Sequence, residues 1–589
     1  MANFIAIVDR NESRRQRFLH EVAPLIAPVE KLRVERADLD DFGAVWAIRE
    51  GVPVSSTISA DATAIVWGDA IPGPGPERLS AAGLLMKWAE TNPRPFACFD
   101  GFYAALRYDA KCGIVAGVDL LGLFPLYYAS TADALVIASS PELFQRHPLF
   151  PATMDAAGLV GLLMTNGILG GRSLLKGVRR LQPGHVLEWR PDGHALETRQ
   201  YSIPVPETDT AASFADDVEQ LDSVFSAAMY RHMPADEPAA MLLSGGRDSR
   251  QIAGYLREQG SSILALTLGN RSDYEMVCAV SVGRALGSDH HVVPLDDSRF
   301  PAAAELQAKW EHLCSGFSNV HMWEAIQPLS GFPPHFVSGY MLDMRDLEPM
   351  PDRFEETMRT DKHRGMPAST LQRLLRREVF DGLPVQIERE MKSVYEAGCS
   401  LESQRATRFF LAHDWRGHAG AVPWKLTFGS WPVLPVLDRA LLETLFVLPQ
   451  ASIANRRAQD EILRRRFPDL ARLPLDRNTY DTTPLLPSAA DRLRQRLNNV
   501  LDHARYRMPP RLERRYYHRI YDINGPGWRA VRRRAEPFRE LLADIVDMKV
   551  MRELLPAPEE TVVVTNKIRE SFGTKQLIGL MLWSGRNIA

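Results

Sequence analysis

Cysteine is scarce in this chain of 589 residues: five are present (Cys98, Cys112, Cys278, Cys314 and Cys399), scattered and without Cys-x-x-Cys spacing. That excludes a disulfide framework, argues against a zinc site and reads as a reduced, cytoplasmic protein. A surplus of one charge sign is lacking too, because the formal net charge is only −3. Nothing therefore pulls the chain as a whole towards nucleic acid or an anionic membrane. No apolar run reaches the roughly 18 residues of a membrane-spanning helix. The opening run Phe4-Ile5-Ala6-Ile7-Val8 is short and lacks a basic leader, so it reads as a buried strand and not as a signal peptide. Also missing are the phosphate loops Gly-x-x-x-x-Gly-Lys-Ser/Thr and Gly-x-Gly-x-x-Gly.

What is present is globular: 45% apolar and 24% charged residues, over a length that needs more than one core. The most informative stretch is Ala239-Ala240-Met241-Leu242-Leu243-Ser244-Gly245-Gly246-Arg247-Asp248-Ser249. A strand-length apolar run breaks into Ser-Gly-Gly, and Ile252 and Leu256 then resume at helical spacing until Gln259-Gly260. Two glycines permit close backbone approach, Ser244 and Ser249 add hydroxyls, and a helix start presents amides and a positive dipole end to an anion. Asp248 in such an anion site calls for a divalent cation between it and a phosphate. Ser-Gly-Gly-x-Asp-Ser resembles the pyrophosphate-binding loop of the ATP pyrophosphatases, which split ATP into AMP and pyrophosphate. An ordinary glycine-rich strand-to-helix turn is the alternative.

Between Phe96 and Trp189, short apolar runs alternate with turns, as in a sheet-rich domain. Asp100-Gly101, Asp119, Gly122-Leu123-Phe124-Pro125-Leu126-Tyr127-Tyr128, Ser139-Ser140-Pro141-Glu142-Leu143 and Leu181-Gln182-Pro183-Gly184-His185 resemble the glutaminase domain of class II amidotransferases of the asparagine synthetase type. That family uses an N-terminal cysteine exposed by loss of Met1; here the position is Ala2, which has no nucleophile. The resemblance thus implies a glutaminase-like domain without glutamine hydrolysis.

Farther on, Ile263–Leu268 and His290–Val293 read as strands separated by a helix that ends at Gly287, which predicts a parallel doubly wound sheet. By resemblance, Leu242, Ser244, Gly245, Gly246, Asp248, Ser249, Thr267, Leu268, Ser338 and Gly339 bind ATP, with adenine near Thr267 and Leu268. Asp273 and Glu275 match an acidic pair of the family or are plain helix-dipole caps. Gly339-Tyr340-Met341-Leu342-Asp343 keeps the Gly-Tyr-x-x-Asp spacing of beta-lactam synthetases. It implies Asp248 and Asp343 as Mg²⁺ ligands and assigns catalysis to Tyr340, Asp343 and His418. Tyr340 is a base or a pocket wall, and the glutamate that partners it in that family is not found. His413, Asp414, Arg416 and His418 are the candidates from the corresponding region. A family lysine that meets pyrophosphate is replaced by Asp460, leaving Arg456, Arg457 or Arg464 as substitutes.

The fold expected is α/β. Residues 1–205 form a class II glutamine amidotransferase-like, N-terminal-nucleophile-type β-rich sandwich; residues 206–485 form a doubly wound ATP-pyrophosphatase domain with helical additions; residues 486–589 form a basic helical extension. Residues 345–385 read as a lid or a solvated loop. The resemblance implies ATP and Mg²⁺ as cofactors, adenylation of a carboxylate, and attack by an amine that the substrate carries. Its nearest forms are the macrolactam synthetases that cyclise lasso peptides, then beta-lactam synthetases. An ammonia-dependent asparagine synthetase-like enzyme and a nucleotide-binding scaffold are the alternatives. A lasso core peptide and its leader protease are the expected partners, with no nucleic acid and no membrane.

Overall fold

The apolar runs of the first two hundred residues form strands with every residue buried, among them Asn3–Asp9, Phe42–Ile48, Ala62–Gly68 and Gly113–Val118. Burial on both faces needs a layer on each side. In the computed structural model, which describes residues 3–90, 96, 98–151, 153–190, 193, 195–206, 213–233, 238–270, 273–344, 351–360, 363–477, 481–505, 520–563 and 569–587, two antiparallel six-stranded sheets supply those layers. The first runs Arg179–Arg180, Tyr127–Ser130, Ala134–Ala138, Asn3–Asp9, Phe42–Ile48, Arg33–Leu39. The second runs Ala195–Arg199, His185–Trp189, Gly113–Val118, Tyr103–Asp109, Ala62–Gly68, Val54–Ile58. Phe4 and Trp46 of the first sheet, Trp67 of the second and Phe124 belong to one core cluster that both sheets share, whereas Val66, Leu84, Phe96 and Tyr103 form a separate cluster around the helix Ala81–Glu90.

A third sheet is wholly parallel, in the order Asp289–Val293, Ile263–Leu268, Ala239–Leu242, His335–Val337, Trp431–Val433. The chain builds outward from Ala239–Leu242 to one side and then to the other. The order reverses between Ala239–Leu242 and His335–Val337, and a crevice opens beyond the carboxyl ends of two such strands. Helices Arg247–Glu258 and Tyr274–Leu286 follow the first two strands, the second ending on Gly287 at φ +63°.

The sheets are tied across the chain. Trp431 Nε1 donates to Phe102 O at 3.2 Å, and Arg49 reaches the carbonyls of Leu329, Ser330 and Gly429. Arg231 bonds both Asp100 and Asp438, with His232 Nε2 3.3 Å from Asp438. Two carboxylates and an imidazole there are spaced as metal ligands could be, but the Arg231 guanidinium already bridges the carboxylates.

Two segments differ from their sequence reading. Of residues 345–385, 345–350 and 361–362 lie outside the described residues, but the remainder holds helices Ala368–Leu374 and Arg377–Phe380, with Leu371, Leu374 and Phe380 buried. It is packed, not a loose loop. The basic stretch 506–519 lies outside the described residues, and in Pro526–Ala535 the arginines tie the chain to itself. Arg529 and Arg532 bond the carbonyls of Pro558, Glu559, Pro556 and Ala557, and Arg534 pairs with Glu305. No described helix is long and apolar enough to cross a membrane.

Candidate functional site

Pairing of Ala239–Leu242 continues through Leu243 N to Leu266 O at 2.9 Å, and the backbone then turns at Gly245, φ +73°. A Cβ at Gly245 would lie 2.5 Å from Ala279 N, so only glycine fits. Gly246 caps the helix Arg247–Glu258 without a side-chain hydrogen bond. The hydroxyls are pre-assembled: Ser244 Oγ lies 3.1 Å from Ser249 Oγ and accepts from Gly246 N at 3.3 Å. A helix start with uncapped amides and two hydroxyls is an anion cradle.

Asp248, in the first helical turn, faces the second loop of the crevice. A Cβ at Gly339 would lie 2.7 Å from Asp248 Cβ, so the two loops touch. Arg456 joins their carboxylates: Nη1 donates to Asp248 at 3.0 and 2.9 Å, and Nη2 lies 3.2 Å from Asp343. Gln459 also donates to Asp248, at 2.8 Å. Two carboxylates drawn to one cation offer the hard oxygen donors that a Mg²⁺ ion takes. Of the three arginines considered for the missing lysine, Arg456 is the one at this site. Arg457 bonds Ala451 O and stacks on Phe214, and Arg464 lies by Glu461 and Leu485 O. Asp460 pairs with Arg247 of the loop.

Leu242, Leu268, Val293 and Tyr340 share one apolar cluster along the strand ends. Thr267 commits its hydroxyl to Leu243 O at 2.5 Å and to His290 Nε2 at 2.7 Å. Ser338 is buried, its amide bonded to Val433 O at 3.0 Å. Asp273 starts the next helix without capping it and instead accepts from Asn270 N at 2.7 Å. Burial, with Asp476 and Asp273 nearby, pushes the Glu275 carboxyl well above its usual range, and its Oε2 has no hydrogen-bond partner among the described residues.

Tyr340 precedes a strained turn at Met341, φ +68°, and its hydroxyl reaches Met322 Sδ at 3.9 Å. Burial, with Tyr521 and Glu275 in range, raises its phenol far above 10, which does not make it a base at neutral pH. Of the four candidates downstream, His413 bonds Ile168 O at 3.1 Å and Arg416 bonds Gly122 O and Leu181 O, all in the amino-terminal sheets' connections. Asp414 pairs with Arg364. His418 lies 3.1 Å from Ser318 Oγ, and burial with Arg364 and Lys425 nearby drives it well below 6.5. It is neutral at physiological pH, a form that can accept a proton only weakly.

The carboxyl-terminal extension reaches this wall, and sequence reasoning missed it. Tyr521 donates to Asn319 Oδ1 at 3.2 Å, and Asn319 donates to His418 O at 3.1 Å. Lys575, on the helix Arg569–Asn587, donates to Tyr521 O at 2.5 Å and lies 4.5 Å from the Trp528 ring centroid. Full burial lowers its ammonium from 10.5 to about 7, against a small opposing pull from Asp522. Unfolded chains bind this proton up to about pH 10.5 and the folded one releases it near 7, so stability rises with pH across that window. Lys575→Met should flatten that rise when denaturant midpoints are compared at pH 7.0 and 9.5; an unchanged slope refutes the assignment.

Residue 2 lies outside the described residues, but the amino-terminal strand beside it is closely packed. Asn3 donates to Ile26 O at 2.7 Å and Phe4 stacks on Trp67 with ring centroids 4.0 Å apart.

With this geometry stands a consistent set of likenesses. Residues 82–202 match the family described as glutamine amidotransferase domain, and residues 220–320 match asparagine synthase. Asparagine synthetase [glutamine-hydrolyzing] 3 of Bacillus subtilis is 29% identical over 31% of this chain and 30% of its own. Amidase chyE of Penicillium rubens is 26% identical over 36% of this chain and 34% of its own. 7-Cyano-7-deazaguanine synthase of Novosphingobium aromaticivorans is 40% identical over 12% of this chain and 35% of its own. The chain thus spans about a third of the length of these curated relatives. One segment of the chain is thus similar to glutamine amidotransferase domains and a second, which carries the Ser-Gly-Gly loop, is similar to asparagine synthase.

Proposed function

We propose that this chain is an ATP-dependent, AMP-forming amide synthetase whose amine comes with its substrate, and that it closes a macrolactam ring in a peptide of the lasso type. The observation that carries the reading is the meeting of Asp248 and Asp343 at the strand-order reversal, beside the Ser244–Ser249 cradle. Ser244, Gly245, Gly246, Ser249, Ser338 and Gly339 surround the triphosphate, and adenine lies along Leu242, Leu268 and the Thr267 backbone. Asp248 and Asp343 would hold Mg²⁺, whose charge offsets that of the departing pyrophosphate.

A substrate carboxylate oxygen attacks the α-phosphorus; the bond to pyrophosphate breaks and an acyl-adenylate forms. The amine then attacks the acyl carbon, the C–N bond forms, and AMP leaves while the amine loses a proton. Holding both groups in one pocket contributes about 7–11 kcal/mol through orientation alone. On the acceptor side Tyr340 is a wall, and His418 holds the Asn319–Tyr521 arm in place. A second reading, aspartate amidated by free ammonia, is favoured by the relatives named asparagine synthetases.

Exchange of labelled pyrophosphate into ATP, run with linear peptides bearing a free amino terminus and Asp or Glu, and separately with aspartate, tests both. Peptide-dependent exchange and loss of one water from the peptide mass support ring closure. Exchange with aspartate alone supports the second reading. Nucleotide binding without exchange in either case refutes both.

A further inference from the structure

Arg456 stands between two carboxylates that come from different strand ends, 2.9 Å from Asp248 and 3.2 Å from Asp343. Such a pair needs a cation between it, and a guanidinium and a divalent ion cannot use the same oxygens together. The backbone that places Arg456 is unusual: Asn455 and Arg456 are both left-handed, at φ +56° and +63°. Consecutive non-glycine residues rarely adopt this conformation, and it persists where neighbours enforce it. The enforcing element is the helix Arg457–Arg466, whose Gln459 bonds the same Asp248 and whose Asp460 pairs with Arg247 of the loop. Clamped at Arg247–Asp460, the helix need not move for the Arg456 side chain, which is one-fifth exposed, to swing.

We infer that Arg456 is a placeholder cation: it holds the two carboxylates in the nucleotide-free protein, yields them to the metal that enters with ATP, and turns its fork onto the pyrophosphate. A guanidinium displaced from carboxylates beside a phosphate cradle finds there the anion it binds best, in a bidentate fashion. Arg457 and Arg464 are held elsewhere, so this role falls to Arg456. The inference rests on the proposed nucleotide reading and adds an exchange of partners at the same site.

Arg456→Met separates the two halves of the exchange. Mn²⁺ binding without nucleotide, read from the free-ion electron paramagnetic resonance signal, should tighten about tenfold because the competitor is gone. Pyrophosphate binding in the presence of Mg²⁺, read by calorimetry, should weaken about 10- to 100-fold, the worth of a charge-assisted bidentate contact. Arg456→Lys, which keeps the charge on a shorter arm, should fall between, and it serves with the same readouts if the methionine variant does not fold. Unchanged Mn²⁺ affinity or unchanged pyrophosphate affinity overturns the inference while leaving the nucleotide site intact. A wild-type protein that binds neither probe overturns the nucleotide reading and the inference with it.

Discussion

Asp248→Asn leaves the chain folded and lowers ATP–pyrophosphate exchange by about 10²–10³-fold, the usual cost of removing one group that stabilises charge in a transition state. Asparagine keeps the shape and one oxygen for Arg456 and Gln459, so the contacts at 2.8–3.0 Å are weakened and not abolished. What it cannot supply is the second negative charge that, with Asp343, would fix the proposed divalent cation. Exchange kinetics at saturating Mg²⁺, with a thermal melt beside them, check this. Wild-type exchange in the variant removes Asp248 from the proposed metal site.

Lys425→Met destabilises the protein by about 3–5 kcal/mol, because it breaks a buried ion pair from one side. Lys425 Nζ lies 3.0 Å from Glu311 and 3.1 Å from Gln307 Oε1, with side-chain exposures of 1% for Lys425 and 4% for Glu311. Without the lysine, Glu311 is a buried carboxylate that folds more favourably when protonated. Burial already raises its pKa above 4.5, and loss of the opposing pull of Lys425 raises it further, so the folded state binds the extra proton. Stability of the variant therefore falls as pH rises through that range and partly returns towards pH 5. Replacing both residues, as in Glu311→Leu with Lys425→Met, should recover most of the loss. Denaturant midpoints at pH 5 and 8 for the single and double variants read all of this; a single variant indistinguishable from wild type contradicts it.

Much of the geometry of the Ser-Gly-Gly turn was legible in the sequence, since it is local. Ser244, Gly245, Gly246, Asp248 and Ser249 fall within six residues, and their strand–turn–helix context follows from apolar spacing. The facing aspartate was legible because Gly339 and Asp343 end a second short strand. The contacts of Arg456 were not: three arginines near residue 460 are equivalent in sequence, and only the left-handed backbone at 455–456 selects one. The extension was misjudged for a related reason. Its arginines read as a basic face, but backbone carbonyls more than twenty residues away accept from them. Lys575 likewise gives no local signal, since its burial depends on Tyr521 and Trp528.

The nucleotide products are the most direct check on adenylation. With ATP, Mg²⁺ and a reactive peptide or aspartate, the account predicts AMP and pyrophosphate in equal amounts with each amide formed, and one ¹⁸O passed from a labelled carboxylate to AMP. Appearance of ADP and phosphate instead, or amide formation with no label in AMP, would contradict it.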